Sequence, residues 1–179
     1  MGTQNFKIAG SESNVAWTGR KITGAHNGTI GIKEGTLTFD DGKLSGGNVI
    51  VDTTSINILD ITDPATNEQF AGHLASADFF SIEKFPTASL EINSAAQQTE
   101  TSYYVKANLA IKGITHTIGF DLDLFTKVDT VNASAKIIID RTRYDMKFRS
   151  GNFFTNLGDT LIHNEFELNV NIIAKALHS

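Results

Sequence analysis

The stretch YYVKANLAIKGITHTIGFDLDL, residues 103–124, holds two runs in which apolar and polar side chains alternate, separated by the pair Lys112-Gly113. The apolar side chains are Tyr103, Val105, Ala107, Leu109 and Ile111 in the first run and Ile114, Ile118, Phe120, Leu122 and Leu124 in the second. Alternation with a period of two is typical of antiparallel strands that have one dry face and one wet face. A pair that contains glycine between two such runs is typical of a tight turn. The stretch therefore predicts a β-hairpin.

The same alternation extends outward from this hairpin over most of the chain. In residues 161–174 the even positions are mostly apolar, from Ile162 to Ile172, and the odd positions from His163 to Asn171 carry polar side chains. Further turns are predicted at Asp41-Gly42 and Gly158-Asp159. The predicted strands are 14–22, 28–33, 35–40, 43–52, 87–94, 102–112, 114–126, 131–143 and 161–174. So many antiparallel strands in 179 residues predict an all-β barrel or sandwich.

One short helix is predicted to interrupt the strands, at DPATNEQFAGHLAS, residues 63–76. Asp63 is a suitable N-cap and Pro64 suits the first helical position. Phe70 and Leu74 lie four residues apart, so both would face the sheet. We expect the helix to close one end of the β structure. Nothing in the composition marks a second domain, so the expected unit is a single domain over 1–179 with its core over about 6–175.

The composition excludes several classes of function. The net charge is −5, so the chain lacks the excess of positive charge that is typical of proteins that bind nucleic acid. No apolar run approaches the roughly 18 residues of a membrane-spanning helix, so stable membrane insertion is not expected. The absence of cysteine excludes disulfides, thiolate chemistry and cysteine-based zinc sites. The chain has 12 Phe but only 3 Tyr and 1 Trp. Because phenylalanine has no hydrogen-bonding group, this composition favours a dry surface over a hydrogen-bonding face.

Patterns that would indicate catalysis or metal binding are weak. The five histidines are His26, His73, His116, His163 and His178, and no two of them have the spacing of a metal site. The nucleophile motifs GxSxG and SxxK are missing. Asp121 and Asp123 lie on the wet face of their strand, where a solvated surface explains them. We therefore predict neither a metal nor an enzyme. The alternative, a barrel enzyme acting on an apolar small molecule, would need a buried titratable group such as His116 or an inward-facing acid.

The segment DRTRYD, residues 140–145, allows two interpretations. It places Arg141, Arg143 and Asp145 at alternate positions. Arginine suits carboxylate and phosphate oxygens, so these residues could form an anion clamp at the mouth of a pocket. A charged strand edge also discourages association with other strands. The second interpretation is the one that we favour from the sequence.

The two adjacent phenylalanines at positions 79 and 80 are the main apolar feature of the sequence that the predicted helix and strands do not explain. They stand between the predicted helix and the next strand, and further phenylalanines come from distant segments of the chain. A barrel of about eight strands either fills its interior with side chains or holds one small ligand. A filled core and an apolar ligand cavity therefore explain this composition equally well.

Four segments of the chain resemble the YceI-like family. In GHLASADFFSIEKFPTASLEI, residues 72–92, the family's HL-x-x-x-DFF element is followed by a lysine, an aromatic residue and Pro-Thr-Ala. LAIKGITHTIGFDLDL, residues 109–124, is similar to the family's second signature, and GGNVIVDTTSINILD, residues 46–60, resembles its strand into Ser-Ile. DRTRYDMKF, residues 140–148, is similar to its late arginine-containing strand. The resemblance runs from Val15 to Ile173.

The resemblance implies a lipocalin-like antiparallel β-barrel with one short helix closing an end. It also implies an elongated cavity that holds a polyisoprenoid, such as a polyprenol or a prenyl quinone, with no cofactor and no catalytic residues. Strand parity then gives the side chains that we expect to contact the ligand. They are Trp17, Leu109, Ile111, Phe120, Leu122, Phe166 and Leu168, with Phe79 and Phe80 closing the cavity where the helix meets the barrel.

The resemblance also implies export, because most members of the family act outside the cytoplasm. The N-terminus MGTQNFKIAG has no apolar stretch of a signal peptide. A native Met1 would place the protein in the cytoplasm, and a removed export signal would place it in the periplasm or beyond. The expected partner is an isoprenoid lipid rather than nucleic acid. A monomer and a homodimer are both compatible with the sequence, and a filled-core structural domain is the remaining alternative.

Overall fold

The computed structural model describes residues 2–21, 24–76, 80–146 and 162–177. The strands within these ranges are β1 (Thr3–Ile8), β2 (Asn14–Lys21), β3 (Gly24–Asp40), β4 (Lys43–Ile58), β5 (Thr87–Gln97), β6 (Ser102–Ile111), β7 (Ile114–Thr126), β8 (Thr130–Asp140) and β9 (Ile162–Ala176). The helix α1 (Pro64–Ala75) follows β4. Two 3₁₀ turns are formed by Gly10–Glu12 and Arg141–Tyr144.

The strands close into an antiparallel barrel. They follow the order β1-β3-β2-β9-β8-β7-β6-β5-β4, and β4 returns to pair with β3. β1 and β2 both lie between β3 and β9: β2 pairs with the first half of β3, and β1 pairs with its last residues. The two strands therefore lie end to end at one position, and the nine strands occupy eight barrel positions. This confirms the predicted lipocalin-like barrel of about eight strands.

Both predicted hairpin turns within the described ranges are present. Asp41 and Gly42 join β3 to β4 with φ values of 50° and 80°, and Lys112 and Gly113 join β6 to β7 with φ values of 54° and 74°. Two consecutive residues with positive φ define the type I′ turn, whose twist matches that of the flanking strands. A Cβ atom at Gly113 would also lie 3.0 Å from the ring of Phe85, which is a tight contact. Gly158-Asp159 lies outside the described residues.

Helix α1 begins where the sequence predicts. The Asp63 side chain accepts a hydrogen bond from the Thr66 backbone N–H, and Pro64 occupies the first turn. The Asn67 side chain donates to the carbonyl oxygens of Ile58 and Ile61, both at 3.0 Å, so the helix is attached to the end of β4. Its inward face carries Phe70 and the buried Leu74. The helix therefore covers one end of the barrel.

The two halves of the barrel differ in how they are filled. At the end formed by β1 and the turns after β3, β5 and β7, apolar side chains from all sides form a closed core. In that core the rings of Phe6 and Phe39 meet edge to face with centroids 5.3 Å apart. At the opposite end, under α1, several inward-facing apolar side chains are only half-buried, among them Trp17, Phe166 and Leu168. Because these side chains face the interior, their exposure marks an internal space.

Three features of the strand prediction were wrong. β1 was not predicted, and β3 is one strand where 28–33 and 35–40 were expected as two. The pairing of β3 with β4 shifts register between Ile32 and Glu34, and such a bulge interrupts the side-chain alternation on which the prediction depended. β8 ends at Asp140 rather than at 143, because Asp140 accepts a hydrogen bond from the Thr142 N–H and starts a 3₁₀ turn.

Candidate ligand cavity

The half of the barrel under α1 contains a cavity of about 310 Å³. This volume falls near the lower end of the ~300–1,000 Å³ that is usual for small-molecule sites. Side chains from β2, β3, β4, β5, β6, β8 and β9 line it, together with α1 and the segments that follow α1 and β8. Most of the lining is aliphatic or aromatic, and of its charged members Arg20 and Glu165 are exposed while Arg141 is buried. The cavity is therefore a dry space with a polar opening.

The structure brings six of the nine predicted ligand-contacting residues to this cavity. They are Trp17, Phe80, Leu109, Ile111, Phe166 and Leu168. Phe120 and Leu122 face the interior as predicted, but they lie in the closed core, 8% and 7% exposed, and do not border the cavity. Strand parity identifies an inward side chain but not its height in the barrel, which explains this difference. Phe79 lies outside the described residues.

The segment after α1 is held in place by its own backbone. The N–H groups of Phe80 and Ile82 donate to the carbonyl oxygens of Leu74 and Ala75 at the end of the helix. The buried Thr53 of β4 donates its hydroxyl to the Phe85 carbonyl oxygen at 2.8 Å, and its N–H donates to Pro86. These contacts turn the chain back across the barrel end and place the Phe80 ring against the cavity.

Trp17 forms one wall, and its position depends on Gly28 of the neighbouring strand. The two residues are paired across β2 and β3. A Cβ atom at Gly28 would lie 2.6 Å from the indole ring and even closer to the Asn57 carbonyl oxygen, so only glycine fits. The indole N–H donates to the Thr29 carbonyl oxygen at 3.3 Å. Trp17 is thus held across the opening left by Gly28, with its ring bordering the cavity.

Two charged pairs lie at the rim. Arg20 donates to Glu167 at 2.9 Å, and the Glu167 carboxylate has a pKa below its usual value, mainly because of this bond. His26 Nδ1 lies 2.7 Å from Asp60 Oδ2. Burial raises the pKa of Asp60, but the N–H of Asn27 and the His26 ring outweigh it, so this pKa is also lowered. Both pairs are partly exposed, which is typical of the mouth of a cavity.

Arg141 is a charged residue that borders the cavity from the inside. Its side chain is 3% exposed, and its Nη1 donates to the Met146 carbonyl oxygen. Burial lowers the pKa of the guanidinium to about 10, against the opposing effect of Asp140, so it stays protonated at neutral pH. The favoured interpretation of DRTRYD as an exposed charged edge is therefore wrong for Arg141, because the chain leaves the strand and turns this residue inward.

The other part of this segment forms a separate contact outside the cavity. Exposed Arg143 lies on the same 3₁₀ turn and bonds with His116, whose Nε2 is 2.8 Å from the Arg143 carbonyl oxygen. The His116 ring meets buried Tyr144 edge to face at 5.1 Å. Neither Arg143 nor His116 borders the cavity. This arrangement joins the turn to β7.

Sequence reasoning did not identify several residues of the lining. The most informative are Thr53, Phe70, His73 and Met146, and Arg141 was placed at a pocket only in the less favoured interpretation of DRTRYD. The spacing of Phe70 and Leu74 predicted contact with the sheet, and the same spacing indicates that this helix face borders the cavity. For Arg141 the signal was the pair Asp140 and Thr142, since an Asp two residues before a Thr is typical of an Asx turn.

In the part of the chain that the structure describes, no group of three or more His, Asp or Glu side chains is arranged to hold a metal ion. Among the same residues, no helix is long and apolar enough to cross a membrane.

Trp17 provides a direct measurement of ligand entry, because it is the only tryptophan of the chain. A ligand in the cavity would displace water from the half-buried indole, so we expect its fluorescence emission to shift to shorter wavelength during a titration. A ligand that is bound by mass spectrometry but leaves the emission unchanged at saturation would show that the binding site lies elsewhere. Tryptophan in free solution, titrated with the same ligand, serves as the control for inner-filter effects.

The fold and the cavity together define the class: a lipocalin-like barrel, filled at one end and hollow at the other. The chain belongs to the YceI-like family, whose model matches residues 6–174 as a YceI-like domain. Protein YceI of Salmonella arizonae is 29% identical over 104 residues, which cover 57% of this chain and 50% of that protein. The chain thus spans about half the length of the curated relatives that it matches.

Solved structures share this architecture over nearly the full chain. BcnA of Burkholderia cenocepacia superposes with a TM-score of 0.71 at 18% identity, covering 94% of this chain and 99% of BcnA. A polyisoprenoid binding domain from Saccharophagus degradans, implicated in plant cell wall breakdown, superposes with a TM-score of 0.70 at 12% identity, covering 96% and 98%. At these identities the likeness concerns the fold.

Proposed function

We propose that this protein binds an isoprenoid lipid in its barrel cavity and thereby carries or sequesters it. The observation that carries the proposal is the apolar cavity between α1 and the filled core, at a place where a barrel of this size could have been filled by side chains. Membership of the YceI-like family and the polyisoprenoid-binding neighbour support the same ligand class.

The dimensions of the cavity indicate how much of a lipid it can bury. At about 30 Å³ for each water-sized heavy atom, a volume of about 310 Å³ takes about ten carbon atoms, or two isoprene units. Burial at ~0.8 kcal/mol per carbon would contribute at most ~8 kcal/mol, which corresponds to a Kd of about 1 μM. Ordering the flexible chain weakens this value. We therefore expect micromolar or weaker affinity for a two-unit prenyl chain.

We infer binding rather than catalysis from the character of the lining. The apolar walls give shape and dry surface, and the charged groups of the rim bond with each other: Arg20 with Glu167, and His26 with Asp60. A general acid or base would have to face the reacting atoms from within the cavity. Among the described residues of the lining, the titratable groups of this kind are His26, His73 and Glu165, and most of the remaining lining is apolar.

The test is the lipid content and the lipid uptake of the purified protein. Native mass spectrometry followed by organic extraction should reveal a stoichiometric isoprenoid, and stripped protein should take up geraniol with the expected shift of Trp17 emission. A protein that purifies without lipid, and that then takes up neither geraniol nor an added prenyl quinone, would overturn the proposal and favour a structural role.

A further inference from the structure

The pair formed by His26 and Asp60 places a hydrogen-bonding group beside the apolar space. His26 lies on β3 opposite Gly19 of β2, and both residues border the cavity. Asp60 follows β4 and is not part of the lining. The His26 ring packs against Phe70 of α1, with centroids 4.8 Å apart, and its side chain is 30% exposed. His26 therefore lies at the rim, where β3 and the end of β4 meet the helix.

Asp60 determines which nitrogen of His26 carries the proton. Its Oδ1 accepts a hydrogen bond from the Asn27 N–H at 3.0 Å, and its Oδ2 lies 2.7 Å from His26 Nδ1. The lowered pKa of Asp60 keeps the carboxyl group ionised at neutral pH, so both of its oxygens only accept hydrogen bonds. Nδ1 must therefore be the donor. In the neutral ring, Nε2 is then an acceptor with a lone pair.

Nε2 is the atom of this ring that a ligand can use. Among the described residues, the side chain of His26 interacts with Asp60 through Nδ1 and with Phe70 through its ring, and Nε2 has no hydrogen-bond partner. Because Nδ1 faces Asp60, outside the lining, Nε2 is the polar atom that a molecule in the cavity can reach. An acceptor at this place is satisfied by a donor, such as water or the hydroxyl of an alcohol.

The walls of the cavity continue from His26 toward the closed core. Gly19, opposite His26, pairs with Phe166 of β9. The next inward-facing pair, Trp17 with Leu168, extends the wall downward. A lipid with its polar end at His26 would therefore lie with its chain along these side chains.

The other polar groups of the lining do not select between ligands in the same way. Arg20 and Arg141 only donate hydrogen bonds, so they would treat the oxygen of an alcohol and the oxygen of an ether alike. Glu165 and His73 also contain acceptors and belong to the lining. Substitutions at His26 and Asp60 leave these four residues in place, so the role of His26 can be measured separately.

We propose that the cavity selects an isoprenoid alcohol, whose hydroxyl donates a hydrogen bond to Nε2 of His26 while its chain lies along the apolar walls. This inference rests on the proposed function, since it assigns the polar end of the lipid that the cavity takes. It favours an alcohol over a prenyl quinone, because the carbonyl oxygens of a quinone only accept hydrogen bonds. The probes are geraniol, which can donate and accept, and geranyl methyl ether, which has the same chain and only accepts.

The first experiment exchanges the donor and the acceptor on His26. In Asp60→Asn the Oδ1 atom still accepts from the Asn27 N–H, so the new amide nitrogen faces His26 Nδ1 and donates to it. The neutral ring then carries its proton on Nε2. Geranyl methyl ether should bind about two- to tenfold more tightly than it binds the wild type, the gain expected for one hydrogen bond. Geraniol can accept as well as donate, so its affinity should be nearly unchanged.

The matched control for this substitution is Asp121→Asn. Asp121 is an exposed residue of β7 outside the cavity lining, so the same change of charge there should leave both affinities at their wild-type values. Affinities are measured by isothermal titration calorimetry at pH 8.5, where imidazole is in its neutral form. Circular dichroism verifies that each variant is folded. Each ligand is compared with itself across variants, so the different hydration of the alcohol and the ether cancels.

The second experiment removes the acceptor. His26→Leu should weaken geraniol binding about two- to tenfold and should leave the affinity for geranyl methyl ether nearly unchanged. Equal losses for the two ligands would indicate a change in the shape of the cavity and would refute the role of Nε2.

The outcomes separate the two proposals. Wild-type protein that binds neither geraniol nor geranyl methyl ether contradicts the proposed function itself. Wild-type protein that binds geraniol retains the proposed function, and the inference is then refuted if Asp60→Asn does not strengthen ether binding. If Asp60→Asn does not fold, the difference between the two ligands in His26→Leu decides the question.

Discussion

Replacing Ala88 with Trp is expected to abolish lipid uptake while the protein stays folded. Ala88 lies on β5, faces the cavity and is half-buried. An indole ring at this position would occupy a large part of the 310 Å³. Displacing one isoprene unit removes up to ~4 kcal/mol of burial, so affinity should fall by up to about a thousandfold. Isothermal titration calorimetry with geraniol provides the measurement, because it does not depend on tryptophan emission.

Ala110→Trp is the matched control for this substitution. Ala110 lies on the adjacent strand β6, where Leu109 and Ile111 face the interior and Ala110 therefore faces outward. The same side chain added there should leave the affinity unchanged. If Ala88→Trp folded and bound geraniol as tightly as the wild type, the cavity described above would not be the lipid site.

Phe120→Ala is expected to cause a large loss of stability. Phe120 lies on β7, 8% exposed, within the closed core and away from the cavity. Truncating a buried phenylalanine costs about 3–5 kcal/mol, because the transfer free energy is lost and a void is left. In a chain of this size the thermal midpoint should fall by roughly 10 °C. Chemical denaturation with and without geraniol should give the same loss.

Phe166→Ala provides the contrast, since the same change is made at a half-buried ring that borders the cavity. Here the truncation enlarges a space that already exists, so the loss of stability should be below ~2 kcal/mol. The main effect should be weaker geraniol binding. If Phe120→Ala weakened binding as much as Phe166→Ala, or if the two variants lost equal stability, the division of the barrel into filled and hollow halves would be contradicted.

The local parts of this fold could be predicted from the sequence because their causes are local. The hairpin at Lys112-Gly113 follows from side-chain alternation and from two residues that adopt positive φ. The start of α1 follows from Asp63 and Pro64, which act on the first turn of the helix alone. Residue type and spacing within a few positions contain all the information that these features need.

The height of each residue in the barrel could not be predicted in the same way. Phe120 and Phe166 both face inward by strand parity, yet one lies in the core and the other borders the cavity. Their heights depend on register between strands that are distant in the sequence, such as the pairing of Phe166 with Gly19. The inward turn at Arg141 was missed for another reason: a hydrogen bond from the Thr142 N–H to the Asp140 carboxylate competes with strand extension, and alternation of charges does not report it.

The end-to-end arrangement of β1 and β2 has a consequence for attachment. Because β1 closes the filled end beside the last residues of β9, with the Leu177 N–H bonded to the Asn5 carbonyl oxygen, both termini of the described barrel lie opposite the cavity mouth. A tether, a tag or a neighbouring domain joined at either terminus would hold the barrel by its closed base. The mouth of the cavity would then face away from the point of attachment.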